Sequence, residues 1–459
     1  MYEFENYQFK TVSSDHNSCQ EGIKQLEVYD KIARTKFQMT FTKNNQIIYS
    51  KDGVILRVQE INIYKIDKNK DAFSHPEGLN NLEQINNLVW QGEYGQNKIK
   101  IGKWIAIWKG EVLKEVGGYY SDNGQKQGLW KELIKNYQTE GQGFEFGLYF
   151  NNFRIGKWNY FYKNKQINGG YYNDQNQKNG KWFELYNGIW EYFLVYIVIS
   201  RSFVVYNGEY NNGKKVGKWD ILYGEFEDIL QFQLKGCGFY DDQKQLSITA
   251  SKKIGRWVEL IHDYGRDSQV SYQGEYQNGK KIGRWDIFFQ VSGDYCRFEL
   301  IGGGTYKEDY KENDANSIKI GRWIELNNEF KNWLQVIITG EYKNGHKFGR
   351  WDILFRESSN NLEFKKMQDQ NYIKNKYFRG GGQYDEESLD RDSIKIGKWT
   401  ELYDGFNQDT QITYSGEYIK GKKIGRWDIF LKNWRTIENE LMQQIQFNTK
   451  YVFQRWWII

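Results

Sequence analysis

Proline is all but missing from this sequence. Pro76 is its sole instance in 459 residues, so turning the chain falls to the 46 glycines, and many short strands joined by glycine turns fit that composition. Cysteine is almost as rare. Cys19, Cys237 and Cys296 are an odd number without metal-ligand spacing, which argues against a metal module and for a reduced, cytoplasmic interior. The four histidines, His16, His75, His262 and His346, stand apart, and no nonrepeated cluster of titratable groups marks a catalytic centre. The apolar run Tyr192-Phe-Leu-Val-Tyr-Ile-Val-Ile199 is too short to span a bilayer and closes at Arg201, while residues 1–20 lack the apolar core of a signal peptide. Neither sign of charge dominates: 64 basic against 59 acidic residues leave +5, too weak a bias for a nucleic-acid binder. A mean hydropathy of −0.82 expects a soluble chain whose sheets keep one wet face.

What the chain does have is repetition. A Gly-(Lys/Arg/Leu)-Trp element recurs eleven times, at Trp104, Trp130, Trp158, Trp182, Trp219, Trp257, Trp285, Trp323, Trp351, Trp399 and Trp427. Such short units cannot bury an apolar face alone and must stack on their neighbours. Two kinds alternate. The first reads Gly-Glu-Tyr, a turn, then Ile-Gly-Arg-Trp-Asp-Ile, as at Gly274 to Ile287; the second reads Gly-Gly-x-Tyr, a longer loop, then Gly-Arg-Trp-x-Glu-Leu, as at Trp323-Glu325-Leu326.

In a two-residue hairpin, paired residues have a constant sum of numbers. Asn278-Gly279 gives 557, which pairs Gly274 with Gly283 and Tyr272 with Trp285. The same test pairs repeat glycines about Asn212-Gly213, Asn344-Gly345, Lys420-Gly421 and Asn151-Asn152, whereas the first copy, Gly92 to Gly102, carries one extra residue and expects a bulged or three-residue turn. This register places Tyr272, Gly274, Tyr276, Gly283 and Trp285 on one face. Glu275, Ile282, Arg284 and Asp286 fall on the other, so that Trp and Arg lie on opposite faces and cannot build a stacking platform with phosphate contacts.

The second kind of hairpin takes polar insertions, including Lys307-Glu-Asp-Tyr-Lys-Glu-Asn-Asp314 and Asp385-Glu-Glu-Ser-Leu-Asp-Arg-Asp392. Neither carries the glycine or closing glutamate of an EF-hand loop, and Gly213-Lys-Lys-Val-Gly217 lacks the spacing of a phosphate loop. From Trp130, Trp257, Trp323 and Trp399 the next repeat glycine follows after seventeen residues, but from Trp182 after twenty-six. The nine extra residues coincide with Tyr192–Ile199 and read either as a longer buried strand pair or as a translated short intron. In the nonrepeated leader, Glu21 to Lys36 reads as a helix, Phe37 to Tyr49 and Val54 to Tyr64 as strands, and Pro76 to Leu88 as a short helix.

The motif Gly-Glu-Tyr-x-Asn-Gly-Lys-Lys-x-Gly-Lys/Arg-Trp resembles the MORN-repeat class, and more closely a large family of ciliate MORN-like proteins. The resemblance covers about residues 88–430, although units here run from 24 to 48 residues between tryptophans, longer and less uniform than a typical MORN unit. It implies an elongated antiparallel sheet that acts as a scaffold, often at the cell cortex, cytoskeleton or membrane surface.

The expected architecture is mainly β: an elongated antiparallel meander of about eleven hairpins, a hairpin solenoid, with a small α+β leader. Its rival is a closed β-propeller, because two hairpins make a blade-sized unit. The leader occupies residues 1–87, the array 88–435, and 436–459 form a tail or a truncated further repeat. The expected function is a non-enzymatic scaffold for protein–protein interaction, without catalytic, cofactor or metal residues, nucleic-acid partner or small-molecule substrate. Its candidate contacts are the insertion residues Glu308, Asp309, Asp385, Glu386 and Glu387. The alternative is a peripheral module whose Lys218, Arg284, Arg350 and Arg426 meet acidic phospholipids, at about 1 kcal/mol each; their neighbours Asp220, Asp286, Asp352 and Asp428 would cancel much of that attraction.

Overall fold

The hairpin turns reverse the chain in two residues. Asn278 (φ 51°) and Gly279 (φ 85°) are both left-handed, as are Asn212-Gly213, Asn344-Gly345 and Lys420-Gly421, which is the signature of the turn whose twist matches paired strands. Each of these turn glycines also donates its N–H to the preceding second-kind strand: Gly213 to Lys178 O (2.8 Å), Gly279 to Lys253 O (2.8 Å), Gly345 to Lys319 O (3.0 Å) and Gly421 to Lys395 O (3.0 Å). The first copy turns instead through a three-residue 3₁₀ segment, Gln96–Lys98.

The computed structural model describes residues 22–30, 33–42, 46–60, 79, 81–134, 137–139, 141–162, 165–185, 202–225, 231–242, 251–261, 264–265, 268–291, 297–308, 317–327, 330–356, 364–366, 368–369, 378–386, 393–403, 406, 411–432 and 439–447. The Tyr192–Ile199 run lies outside them. The chain divides into two units, Met1–Leu234 and Lys235–Ile459. In each, antiparallel strands pair in sequence order, except that His346–Arg356 pairs both Lys365–Lys366 and, beyond it, Gly381–Tyr384; the fold is a mainly β meander that does not close. The propeller alternative therefore falls.

The register near each turn is the expected one: Gln277 faces Lys280 and Glu275 faces Ile282, both summing to 557. Beyond Glu275 it shifts. Gln273 faces Asp286 and Tyr272 faces Ile287, not Trp285, because Gly283, Arg284 and Trp285 together oppose Gly274. The inferred Gly274–Gly283 and Tyr272–Trp285 pairs are thus corrected by a bulge, and the other hairpins of the first kind bulge at the same place. The bulge is made by the glycine two before each tryptophan, whose φ lies between +60° and +70° in all eleven copies, a region closed to most side chains. Since the shift is two residues, every side chain keeps its expected face.

The other repeat glycine has a different reason to exist. A Cβ on Gly274 would sit 2.3 Å from the Trp285 ring, and equivalent overlaps recur at Gly92, Gly118, Gly147, Gly170, Gly208, Gly238, Gly304, Gly340, Gly382 and Gly416. Each indole therefore lies flat over its hairpin partner's backbone, and none of the eleven is more than 5% exposed. Tyrosines fill the gaps. In the first unit a row runs from Tyr94 to Trp219 with centroids 5.0–6.2 Å apart, each pair near perpendicular. In the second a similar row runs from Tyr240 through Trp427 to Phe447.

At the far ends of the strands, aromatic plugs complete the core. Tyr137, Tyr264, Phe330 and Phe406 each donate a backbone N–H to the carbonyl three residues earlier and bury their rings. Phe330, for example, packs with Val270, Ile287 and Phe289.

The leader corrects two expectations. Glu21 to Lys36 is not a helix, and Phe37 to Tyr49 is not one strand but parts of two that pair with each other: strands Gly22–Asp30 and Ala33–Phe41 form a hairpin, joined by Gln46–Lys51 and Val54–Glu60 into a four-stranded sheet. Pairing along nine residues overrides the helix preference of Lys, Gln, Leu and Glu there. The helix Leu82–Asn87 is capped by Asn81 Oδ1, which accepts from the Glu83 and Gln84 N–H groups. It is tied to the array where the Asn81 and Gln84 amides donate to Tyr137 O. At the other end, strand Asn439–Phe447 continues the sheet, with Ile445 opposite Trp427 where inner strands place glycine.

Candidate functional site

The indole face carries charge as well as rings. Four residues before each tryptophan stands a lysine or arginine whose cation lies over that ring: Lys100 at 4.7 Å from the Trp104 centroid, Arg154 at 4.1 Å from Trp158, Lys281 at 3.9 Å from Trp285, and likewise in the other eight copies. The bulge sits between base and ring, and a spacing of four keeps both on one face. This overturns part of the expectation that bases and tryptophans lie on opposite faces. It holds for the base immediately before Trp in the ten copies that have one, Trp130 being preceded by Leu129, but not for these.

In the second kind of hairpin, the glutamate of Trp-x-Glu-Leu points to the same face and is held between two cations. Glu259 pairs with Lys253 and with Lys281 (2.9 Å) and accepts from the Tyr276 hydroxyl (2.9 Å). Glu132, Glu184, Glu325 and Glu401 repeat the arrangement with Lys126 and Arg154, Lys178 and Lys215, Lys319 and Lys347, and Lys395 and Lys423. Burial opposes ionisation of Glu259, but the two lysines outweigh it and hold the carboxyl at about 2. The other four carboxyls are also lowered against burial by their cations, while burial and then Glu259 push the Tyr276 hydroxyl far up. These groups are locked as ion pairs, unlike a catalytic acid or base poised near neutrality.

On the opposite face, the expected contact residues are exposed but partnered. Lys218 pairs with Asp220 (2.8 Å), Arg284 with Asp286 (2.6 Å), Arg350 with Asp352 (2.9 Å) and Arg426 with Asp428 (2.6 Å). Of the insertion residues, Glu308 ends strand Phe298–Glu308, and Asp385 and Glu386 follow strand Gly381–Tyr384, where Glu386 accepts from Gln383 Nε2 at 2.7 Å. Asp309 and Glu387 lie outside the described residues.

One feature of the second unit does not reduce to the repeat. Arg356 is buried between Glu299 (2.6 Å) and the Gln335 amide oxygen (2.5 Å), and burial lowers the nearby-in-sequence Lys331 to about 8. A shallow groove lined by Tyr342, Lys347, Tyr384, Ser393, Lys395 and Tyr418 runs between the turns at Gly345 and Gly421; its lysines are bound to Glu325 and Glu401. Among the described residues, no group of three or more His, Cys, Asp or Glu is placed to hold a metal ion, and no helix is long and apolar enough to cross a membrane. Compared with known protein families and curated proteins, the chain matches none.

Proposed function

We propose that the chain is a non-enzymatic, MORN-like repeat scaffold that holds a protein partner on its array, in the cytoplasm at the cortex or cytoskeleton. One observation carries the reading: the conspicuous titratable groups recur in register and are engaged by their own neighbours, as Glu259 is by Lys253, Lys281 and Tyr276. What does not recur are the leader and the insertions within 240–253, 306–319 and 384–395, between the tyrosine and the lysine that bound each. The test is an affinity pull-down from the cells of origin with the full chain, beside a variant whose three insertions are cut to the Asp122-Asn-Gly124 turn while Tyr240, Lys253, Tyr306, Lys319, Tyr384 and Lys395 are kept. Melting should be nearly unchanged, because such loops contribute little packing, and partner recovery should fall. Full recovery by a folded variant removes the insertions as the contact.

A second reading, acidic-lipid binding through Lys218, Arg284, Arg350 and Arg426, is disfavoured by the aspartate beside each. Cosedimentation with anionic liposomes across a salt series separates the two, since only lipid binding requires salt-sensitive pelleting.

A further inference from the structure

On the face opposite the indoles, one set of strands departs from the rule that the others keep. The register across Lys126–Leu133, Gly143–Phe150 and Phe153–Tyr162 lays out three rows: Phe150–Phe153 at the turn end, Leu129–Leu148–Ile155 and Lys131–Phe146–Asn159. The equivalent rows about Trp257 and Trp285 are Gln277–Lys280, Arg256–Glu275–Ile282 and Val258–Gln273–Asp286. Three further sets keep a base facing glutamate in the middle row, with Glu209, Glu341 and Glu417, and end the third row in Asp220, Asp352 and Asp428. In the odd set Leu129 replaces the base, Leu148 the glutamate and Asn159 the aspartate, and phenylalanines stand at the turn end.

These replacements are not hidden. Leu129 is 62% exposed, Leu148 37%, Phe150 58% and Phe153 50%, with Tyr119 and Tyr171 more than half exposed on the strands to either side. Single exposed apolar residues are ordinary, but a contiguous patch in which the fold's own pattern calls for charge marks a contact surface. Its charge is one-sided. No carboxylate stands in the three rows, Lys131 lies within them, and Lys103 and Lys157, the bases before Trp104 and Trp158, are followed two residues on by Ile105 and Asn159 where Lys218 and Arg284 have aspartate.

We propose that the Leu129–Leu148–Phe150–Phe153 patch docks an acidic, apolar segment of a partner protein. The proposal rests on the scaffold reading but places the contact on the sheet rather than at the insertions. An apolar centre with aromatic neighbours and a charged rim is the anatomy of a protein interface. Three lysines fall below the clusters of about four to eight that mark anionic-lipid recognition.

The experiment uses the full chain and two labelled synthetic peptides, one alternating Leu and Phe with Glu and Asp, the other with Lys in place of the acids. Fluorescence anisotropy should show binding of the acidic peptide only. The variant Leu129→Arg/Leu148→Glu/Asn159→Asp installs what sister repeats already carry at those positions. It should melt like the parent and lose at least about tenfold in affinity. Phe150→Gln/Phe153→Lys, at the turn end, serves as the second variant should the first fail to fold. Equal binding by either folded variant, equal binding of the basic peptide, or no binding of the acidic one overturns the proposal. Sedimentation with phosphatidylserine vesicles but not peptide binding would overturn it in favour of a membrane. A pull-down partner recovered equally by parent and patch variant would leave the scaffold reading standing and remove this surface from it.

Discussion

Each hairpin spends two glycines on one tryptophan, and the two do different work. Gly283 turns left-handed to lift the chain into the bulge, while Gly274 leaves out the Cβ that would strike the indole. Ala at 283 should cost about 1–2 kcal/mol for the left-handed backbone. Ala at 274 must displace the ring from beneath its lysine, so it should cost more, in the range of about 1–3 kcal/mol or above for overpacking. Trp285→Ala removes the buried ring itself and should cost roughly 3–5 kcal/mol. A long array need not unfold in one step, so the reading should be local: amide exchange across Val270–Gln277 and Lys280–Gln290. Equal protection in the Gly274 and Gly283 variants would mean that the indole does not rest on Gly274.

At the scale of the hairpin, turn chemistry sets the register and one copy is under-optimised. Lys420 holds φ 47° where four sister turns place asparagine, at 151, 212, 278 and 344, a residue that tolerates the left-handed region. Lys420→Asn should therefore stabilise the Ile412–Ile419 and Lys422–Lys432 pair, by up to about 1 kcal/mol. Amide exchange in those strands that is no slower than in the parent would refute it. The same turn chemistry is why the pairing near Asn278-Gly279 could be read from residue numbers alone. The pairing beyond Glu275 could not, because a constant sum presumes a regular ladder and the bulge lies in backbone dihedrals at Gly283. Face assignment survived because the shift is even. The cation over each repeat indole was present in the sequence as a base four residues before each of the eleven repeat tryptophans, and its glutamate partner as Trp-x-Glu-Leu, but their meeting depends on which second-kind strand lies beside which turn. In the leader, Gly22–Asp30 shows what local preference misses: its pairing partner is a tertiary fact.

Over the whole chain, the repeated glutamate clamps tie stability to acid pH. Glu259 falls from an ordinary 4.5 to about 2 in the folded state, so its contribution is fully present above the unfolded value and is lost as pH drops through the folded one. That shift corresponds to something on the order of 3 kcal/mol, lost between about pH 5 and pH 2. Glu132, Glu184, Glu325 and Glu401 are shifted in the same direction, so both units should weaken over that acid window while neutral pH leaves them intact. Glu259→Gln separates this cause from general charge repulsion. At pH 7 it should cost about 3–5 kcal/mol, because Lys253 and Lys281 keep their half-buried charges without the counter-ion. Between pH 5 and pH 2 it should then lose less further stability than the parent, since the titrating carboxyl is gone. Urea melts at pH 7, 5, 4 and 3 give both limbs. Parallel decline of parent and variant down that series would show that acid breaks something other than the clamp.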